Sequence, residues 1–362
     1  MIDQSGIGTV IQEVVPRLLA APHHFVLLGD PEKLANYVSD HTEAMSFQNP
    51  IYSIGEQISF PRRLLRGTDV LLCPHYNIPV STFSRIVVIV HDLAHLVLPQ
   101  FFSGMAKRLY AHLFFRVVLR NAAMIVSPSE FTRKEILTHV RVAPKRVITI
   151  LNGPGRSFGP PVDMSVDRLA RYDVVLPYIL AVGNVKPHKN LEILLKAFFL
   201  VKKAADPSLK LVITGQTFES DRAKVRFLGS SCEQLRAEDV VLTGRVSDED
   251  MGTLYHNASL HVVPSLYEGF GLTPLEAVRF GTLPLVADAA ALSEVVDDPD
   301  LRFDPKDPKD LANKIIKFLR EPELLHKKLS EQRRRMERFS WDTAAKAYLR
   351  LLENVGVNNK GN

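Results

Sequence analysis

The stretch Leu260-His261-Val262-Val263-Pro264-Ser265-Leu266-Tyr267-Glu268-Gly269-Phe270-Gly271-Leu272-Thr273-Pro274-Leu275-Glu276-Ala277 carries the reading of this chain. Leu260–Val263 is a short apolar run of the kind that forms a strand covered on both faces. A glycine-bearing loop follows, and a helix is expected from about Thr273, with Thr273 as N-cap and Pro274 at the first helical position. Loops at the carboxyl ends of parallel strands are where α/β proteins bind ligands. Glycines let backbone N–H groups approach a ligand closely, and a helix N-terminus favours phosphate. Glu268 precedes the glycines and Glu276 falls in the expected first turn. One rigid element therefore holds two carboxylates at different depths along a bound ligand. The competing reading is two surface glutamates beside a structural turn.

Working outward, short apolar runs alternate with helical patterns along the whole chain, which is the signature of a parallel α/β sheet. The first half offers strands at Phe25–Leu28, Val70–Cys73, Ile86–Val90, Ala123–Val126 and Val147–Leu151. The second half offers Tyr178–Val182, Leu211–Thr214, Val240–Thr243, Leu260–Val263 and Pro284–Ala287. Between them, Asn152 to Pro177 is dense in glycine and proline and reads as a linker. The expected organisation is an N-terminal domain over 1–165, a second over 166–340 and a terminal helix over 341–362 that packs back on the first. The first helical pattern, Val10, Ile11, Val14, Val15, Leu18 and Leu19, starts directly after Gly6-Ile7-Gly8. Such a glycine turn usually follows a strand, so a first strand missing upstream is expected.

Composition narrows the function classes. The 362 residues suit two domains rather than one core, and 46% hydrophobic with 23% charged residues is ordinary for a globular protein. Two cysteines, Cys73 and Cys232, make no disulfide framework and no Cys-x-x-Cys metal pair; two reduced, packed thiols of a cytoplasmic protein are expected. The first residues lack the basic, apolar, small-residue order of a secretory signal, and with no apolar run of about eighteen residues no transmembrane helix is expected. Phe101 to Val126 is interrupted by Arg108, His112, Arg116 and Arg120 at helical spacing. It reads either as a core-facing amphipathic helix with a basic outer face or as a peripheral docking helix for anionic lipid. A formal net charge of +5 suits phosphate-bearing substrates but is too dispersed to imply nucleic acid. His91 and His95, four apart, invite a zinc reading that their context rejects: they follow a strand, with no intervening Glu and no third ligand.

Glu268 and Glu276, separated by seven residues around Gly-Phe-Gly, resemble the Glu-x7-Glu motif of the retaining glycosyltransferases of family 4. The resemblance covers nearly the whole chain and is strongest from 178 to 295. It implies the GT-B fold: α/β, two Rossmann-like domains facing across a cleft, with a nucleotide-sugar donor held mostly by the C-terminal domain. By that resemblance Glu268 contacts hydroxyls of the donor sugar. Backbone amides of Gly269, Phe270 and Gly271, with Leu272 beside them, hold the sugar or its phosphate, and Glu276 hydrogen-bonds the ribose. A glycosidase-type carboxylate pair is disfavoured, because hydrolases take such pairs from separate elements facing across a bond. Gly183-Asn184-Val185-Lys186-Pro187-His188-Lys189-Asn190 resembles the family's first C-domain loop, where Lys189 clamps the donor diphosphate; an ordinary solvated turn is the alternative. Asn184 and His188 depart from the arginines common there, and Lys186 supplies the second positive charge. His91-Asp92 resembles a pair in which the histidine touches the transferred sugar or the acceptor. Asp92 then orients the loop and His95 packs. Gly6 and Gly8 resemble a loop near donor phosphate or acceptor. Ser127-Pro128-Ser129-Glu130-Phe131-Thr132 resembles the family's strand-to-helix turn, where Ser129 with Thr132 is expected to cap the helix, and Arg245 lies in a loop resembling the rest for the nucleobase. Ser340-Trp341 resembles the start of the returning helix.

The resemblance implies retaining, metal-independent hexosyl transfer, with no cofactor, from an NDP-sugar to a glycan or lipid-linked oligosaccharide. A mannose-type donor such as GDP-mannose and a role in bacterial surface-polysaccharide synthesis fit best. The leaving phosphate takes the acceptor proton in a front-side, oxocarbenium-like route, while domain closure excludes water. The alternatives are a sugar-nucleotide epimerase of the same fold and a non-catalytic nucleotide-sugar-binding subunit. A cytoplasmic enzyme, with peripheral contact to the inner face of the membrane as an option, is expected.

Overall fold

The computed structural model of the chain describes residues 5–49, 60, 67–76, 86–98, 115–155, 164–215 and 235–358. The chain divides into two compact units, Met1–Gly153 with Phe339–Asn362, and Pro154–Arg338. The division falls earlier than the glycine and proline content of 152–177 suggests. Part of that segment is not linker: Val166–Tyr172 forms a 3-10 helix, and its Leu169 is fully buried in the core of the second unit. Tyr172 Oη donates to Asp250 Oδ2 at 2.7 Å and Arg168 Nε to Asp250 Oδ1 at 3.0 Å, tying the segment to the helix Asp248–Asn257.

In the first unit, β1 (Phe25–Gly29) pairs in parallel with β2 (Thr42–Ser46). A second parallel sheet runs in the order β3 (Leu71–Cys73), β4 (Ile86–Ile89), β5 (Met124–Ser127) and β6 (Val147–Thr149). β4 is buried along its whole length, and Phe115, Val118, Leu119 and Ala122 close over this sheet. Residues 115–121 are thus the core-facing part of the basic amphipathic pattern, with Arg120 exposed. Arg108 and His112 lie outside the described residues, as does Cys232. Cys73 is buried, and burial pushes its thiol up to about 12. Ser129 caps the helix Glu130–His139, its hydroxyl accepting from the Thr132 amide at 3.0 Å. The terminal helix Trp341–Asn358 belongs to this unit and packs on the helix Ser5–Leu19. Arg17 Nε donates to Asp342 Oδ1 between them at 2.6 Å, and Gly153 sits hard against the buried Trp341 indole.

Gly6-Ile7-Gly8 is not a turn. It forms the opening turn of Ser5–Leu19, because the buried stripe Val10, Val14 and Leu18 sets the helix, and the first-turn N–H groups need no intrahelical partner there.

The second unit is a six-stranded, all-parallel sheet. Its order is β12 (Arg302–Phe303), β11 (Pro284–Ala287), β10 (Leu260–Val263), β7 (Tyr178–Val182), β8 (Lys210–Thr214) and β9 (Val240–Gly244). Every residue of β10 and β11 is buried, as the continuous apolar runs require of strands covered on both faces. The helix Leu191–Ala204 contributes Leu194, Leu195, Phe198 and Val201 to the core. β2 and β12 escape the sequence pattern because one mixes charged and apolar residues and the other is two residues long.

Candidate functional site

The order of the second sheet creates the site. From β7 the chain lays β8 and β9 down on one side, then crosses back to place β10, β11 and β12 on the other. β7 and β10 are therefore hydrogen-bonded neighbours whose following loops lead to opposite halves of the sheet. Outside the carboxyl ends of two such strands, a parallel sheet opens a crevice. The loops after β7 and β10 meet there, and the Leu266 amide donates to the His188 carbonyl at 2.8 Å.

Two charges converge on that junction. Lys189 Nζ donates to Glu268 Oε1 at 2.6 Å, and the Ser265 hydroxyl donates to the same oxygen at 2.7 Å. The Lys189 and Glu268 side chains are each 22% exposed, so the pair is neither buried nor fully hydrated. Lys189 is brought there by a 3-10 turn, Pro187–Lys189, closed by Asn190 at φ 52°, whose side-chain amide donates to the Pro305 carbonyl at 2.9 Å. Lys186 is exposed on the same loop, and Asn184 is half-buried. Gly183, at φ 142°, and Gly215, at φ 97°, close the ends of β7 and β8 together: a Cβ on Gly215 would lie 3.4 Å from the Gly183 backbone.

The loop after β10 ends at Gly271, which stands at φ 111° as the N-cap of Leu272–Phe280. This corrects the expected cap. A left-handed N-cap is open to glycine, and Thr273 is the second residue inside the helix. A Cβ at Gly271 would also approach Leu292 Cδ2 to 3.0 Å. Gly271 has no side chain with which to cap the helix, and uncapped first-turn amides are the groups that bind anions at such ends. With Leu272 as the first helical residue, Glu276 falls in the second turn rather than the first. Its Oε2 accepts from Tyr255 Oη at 2.7 Å, and Gly155 lies against its side chain. Gly269 and Phe270 are buried between the carboxylates, and the Glu268 carbonyl accepts from the Ala291 amide at 3.3 Å. Arg245 is exposed after Gly244, which ends β9 at φ 70°.

The structure thus brings Lys189, Glu268 and the 264–271 loop together, with Glu276 on the helix that leaves it. Sequence reasoning missed Ser265, Tyr255, Gly155 and Gly215. Only Ser265, three residues before Glu268, carries a local signal, since that spacing lets its hydroxyl reach the carboxylate.

His91 belongs to the first unit and follows β4. Its Nε2–H donates to the Pro74 carbonyl at 2.7 Å, which makes Nδ1 the acceptor nitrogen of the neutral ring. Burial lowers its pKa, against the opposing pull of that carbonyl and of Asp92. Asp92 Oδ1 accepts from the Ala94 amide at 2.9 Å and so shapes the loop, as expected. His95 packs, stacked on Tyr76 at 5.0 Å and edge-on to Phe115 at 5.1 Å. Burial, with His91 and His95 nearby, pushes His75 down to about 3. Gly6 is exposed and Gly8 buried at the start of their helix. Among the described residues no group of three or more His, Cys, Asp or Glu can hold a metal ion, and no helix is long and apolar enough to cross a membrane.

Two family models match the chain: "Glycosyltransferase Family 4" over residues 4–154 and "Glycosyl transferases group 1" over residues 174–336. The chain is 27% identical over 296 residues to the serotype-specific mannosyltransferase WbdA of Escherichia coli, covering 80% of this chain and 36% of that protein. It spans about a third of the length of three such matches (36%, 34% and 35%). The O-antigen chain mannosyltransferase B of Escherichia coli is 27% identical over 362 residues, with 93% of each chain covered. Among solved structures, sucrose-phosphate synthase from Thermosynechococcus elongatus superposes with a TM-score of 0.72 at 21% identity, covering 97% of this chain and 94% of that one. Anabaena HepE in complex with UDP-glucose gives 0.74 at 17% identity, covering 97% and 96%. These likenesses show the GT-B fold.

Proposed function

Since the chain belongs to glycosyltransferase family 4, we propose that it transfers a hexose, with retention, from a nucleotide-diphosphate sugar to a glycan or lipid-linked acceptor. The observation that carries this reading is the convergence of Lys189 and Glu268 where the loops of β7 and β10 meet. A cation and a carboxylate held side by side, ahead of an uncapped helix N-terminus, match the two ends of a sugar diphosphate: phosphate charge and sugar hydroxyls. The mannosyltransferase names of the bacterial relatives favour a mannose-type donor, GDP-mannose, and a place in surface-polysaccharide synthesis.

In this reading Lys189, with Lys186 beside it and the amides from Gly269 to Leu272, receives the diphosphate. Glu268 accepts from the sugar hydroxyls, and Glu276 accepts from the ribose. Gly183 and Asn184 line the donor loop, Arg245 flanks the base, and His91 faces the transferred sugar or the acceptor. Gly6 and Gly8 serve the acceptor or phosphate end. As the bond from the anomeric carbon to the diphosphate breaks, its electron pair stays on the phosphate oxygen. Lys189 and the helix dipole offset that charge, so no divalent cation or cofactor is required. The acceptor oxygen bonds to the anomeric carbon on the same face, and its proton passes to the departing phosphate.

Calorimetry with a panel of GDP- and UDP-sugars in EDTA, with Glu276→Ala as control, tests the reading. Binding of one donor that the variant loses supports it, and failure of every donor to bind overturns it. Donor interconversion without acceptor identifies an epimerase instead, and tight binding without turnover over any acceptor a non-catalytic subunit.

A further inference from the structure

Glu276 does not stand alone on its helix. Tyr255, on the preceding helix Asp248–Asn257, donates its phenolic proton to Glu276 Oε2 at 2.7 Å. The ring is fully buried, parallel to Phe280 at 5.9 Å and edge-on to His261 at 5.3 Å. The tyrosine backbone is pinned as well: its carbonyl accepts from the Thr282 hydroxyl, and the adjoining Leu254 carbonyl accepts from Tyr178 Oη at 2.7 Å. Burial and the facing carboxylate raise the Tyr255 pKa well above its ordinary value, so the hydroxyl remains a donor. On the other side stands Gly155, in the left-handed region at φ 46°. A Cβ there would lie 2.1 Å from Glu276 Cγ and 2.6 Å from Oε1.

A phenylalanine would fill the same space between Phe280 and His261. The hydroxyl is held by the Phe280 and His261 rings and aimed at a half-buried carboxylate. We propose that Tyr255 and Gly155 are positioning residues that clamp the Glu276 carboxylate in the orientation in which it receives the ribose hydroxyls of the donor. Tyr255 fixes the carboxylate plane through one oxygen, and Gly155 closes the side on which any larger residue would turn it. This inference rests on the reading of Glu276 as the ribose acceptor.

The test compares binding of GDP and UDP with their 2′-deoxy and 3′-deoxy forms by calorimetry, on the full chain. The wild type discriminates against at least one deoxy form on the order of tenfold, the worth of a hydrogen bond to a charged group. Glu276→Gln loses that discrimination. Tyr255→Phe keeps its fold, checked by circular dichroism and melting temperature, yet lowers the ratio to about threefold or less. Gly155→Ala does the same from the other side. A purely structural role for Tyr255 would change stability and leave the ratio untouched. Wild-type discrimination retained in Tyr255→Phe but lost in Glu276→Gln refutes the clamp and leaves the ribose reading standing. Discrimination retained in Glu276→Gln, or absent from the wild type, refutes the ribose reading itself.

Discussion

Replacing Glu268 by glutamine separates two things that one salt bridge joins. Without ligand, Lys189 neutralises Glu268 at 2.6 Å. A donor that takes Lys189 with its diphosphate must part this pair, and its sugar hydroxyls then compensate the carboxylate. Two unit charges about 4 Å apart attract by about 4 kcal/mol at an effective dielectric constant near 20, whereas exposed pairs are worth about 1 kcal/mol or less. With each side chain 22% exposed, the Lys189–Glu268 pair lies between these limits. Parting it costs about 1–2 kcal/mol, a cost Glu268→Gln does not bear. Free GDP or UDP, which has no sugar to offer the carboxylate, should therefore bind the variant about 5- to 30-fold more tightly than the wild type. The intact nucleotide sugar loses charge-assisted bonds to its hydroxyls, and kcat/KM should fall about 10- to 100-fold. Calorimetry with the nucleoside diphosphates, alongside transfer of labelled sugar, reads both numbers. If Glu268→Gln weakens nucleoside diphosphate and nucleotide sugar alike, or moves neither, the view of Glu268 as the sugar-side partner of Lys189 is wrong.

Other expectations follow from the same geometry. Lys189→Met should weaken nucleoside diphosphate and nucleotide sugar together, by roughly 10- to 100-fold, and flatten the salt dependence of both in titrations at increasing ionic strength. Gly271→Ala forces a side chain onto a left-handed N-cap and towards Leu292; it should cost about 1–3 kcal/mol in urea unfolding and weaken donor binding through the displaced loop. His261 is fully buried, its ring donating from Nδ1 to the Leu180 carbonyl, and burial lowers it to about 4. An unfolded histidine titrates near 6.5, so between about pH 6.5 and 4 the unfolded chain binds the extra proton and acid favours unfolding. Stability should fall by about 2 kcal/mol per such histidine from pH 7 to pH 5, and His261→Phe should remove its share of that slope in urea melts, whatever it does to the stability itself.

Much of the fold was legible in the residues because strands covered on both faces must be apolar throughout. Ten of the strands announce themselves that way, from Phe25–Gly29 to Pro284–Ala287. The exceptions are instructive. Thr42–Ser46 carries Glu43 and Ser46 outward, and Arg302–Phe303 is too short to show a period. Local rules also misplaced two glycine features. Gly6 and Gly8 have low helix propensity, yet the buried Val10–Val14–Leu18 stripe carries them into a helix. Thr273 is a good N-cap by type, yet Gly271 holds that position, since propensity does not register the close approach of Leu292.

The candidate site divides in the same way. The amino-acid sequence by itself determined which chemistry is present: carboxylates with seven residues between them, glycines included, a lysine at a strand-to-helix turn, and a histidine after a buried strand. Those are properties of contiguous residues. Only the tertiary structure decided which of them meet. Lys189 and Glu268 are 79 residues apart, and they touch because the crossover between β9 and β10 returns the chain to the side of β7. Tyr255 reads along the chain as one more apolar position of a helix, and its hydroxyl gains a purpose only when the next helix sets Glu276 above it. Short-range spacing encodes elements and their loops. Contacts across a sheet depend on strand order, which no local pattern carries.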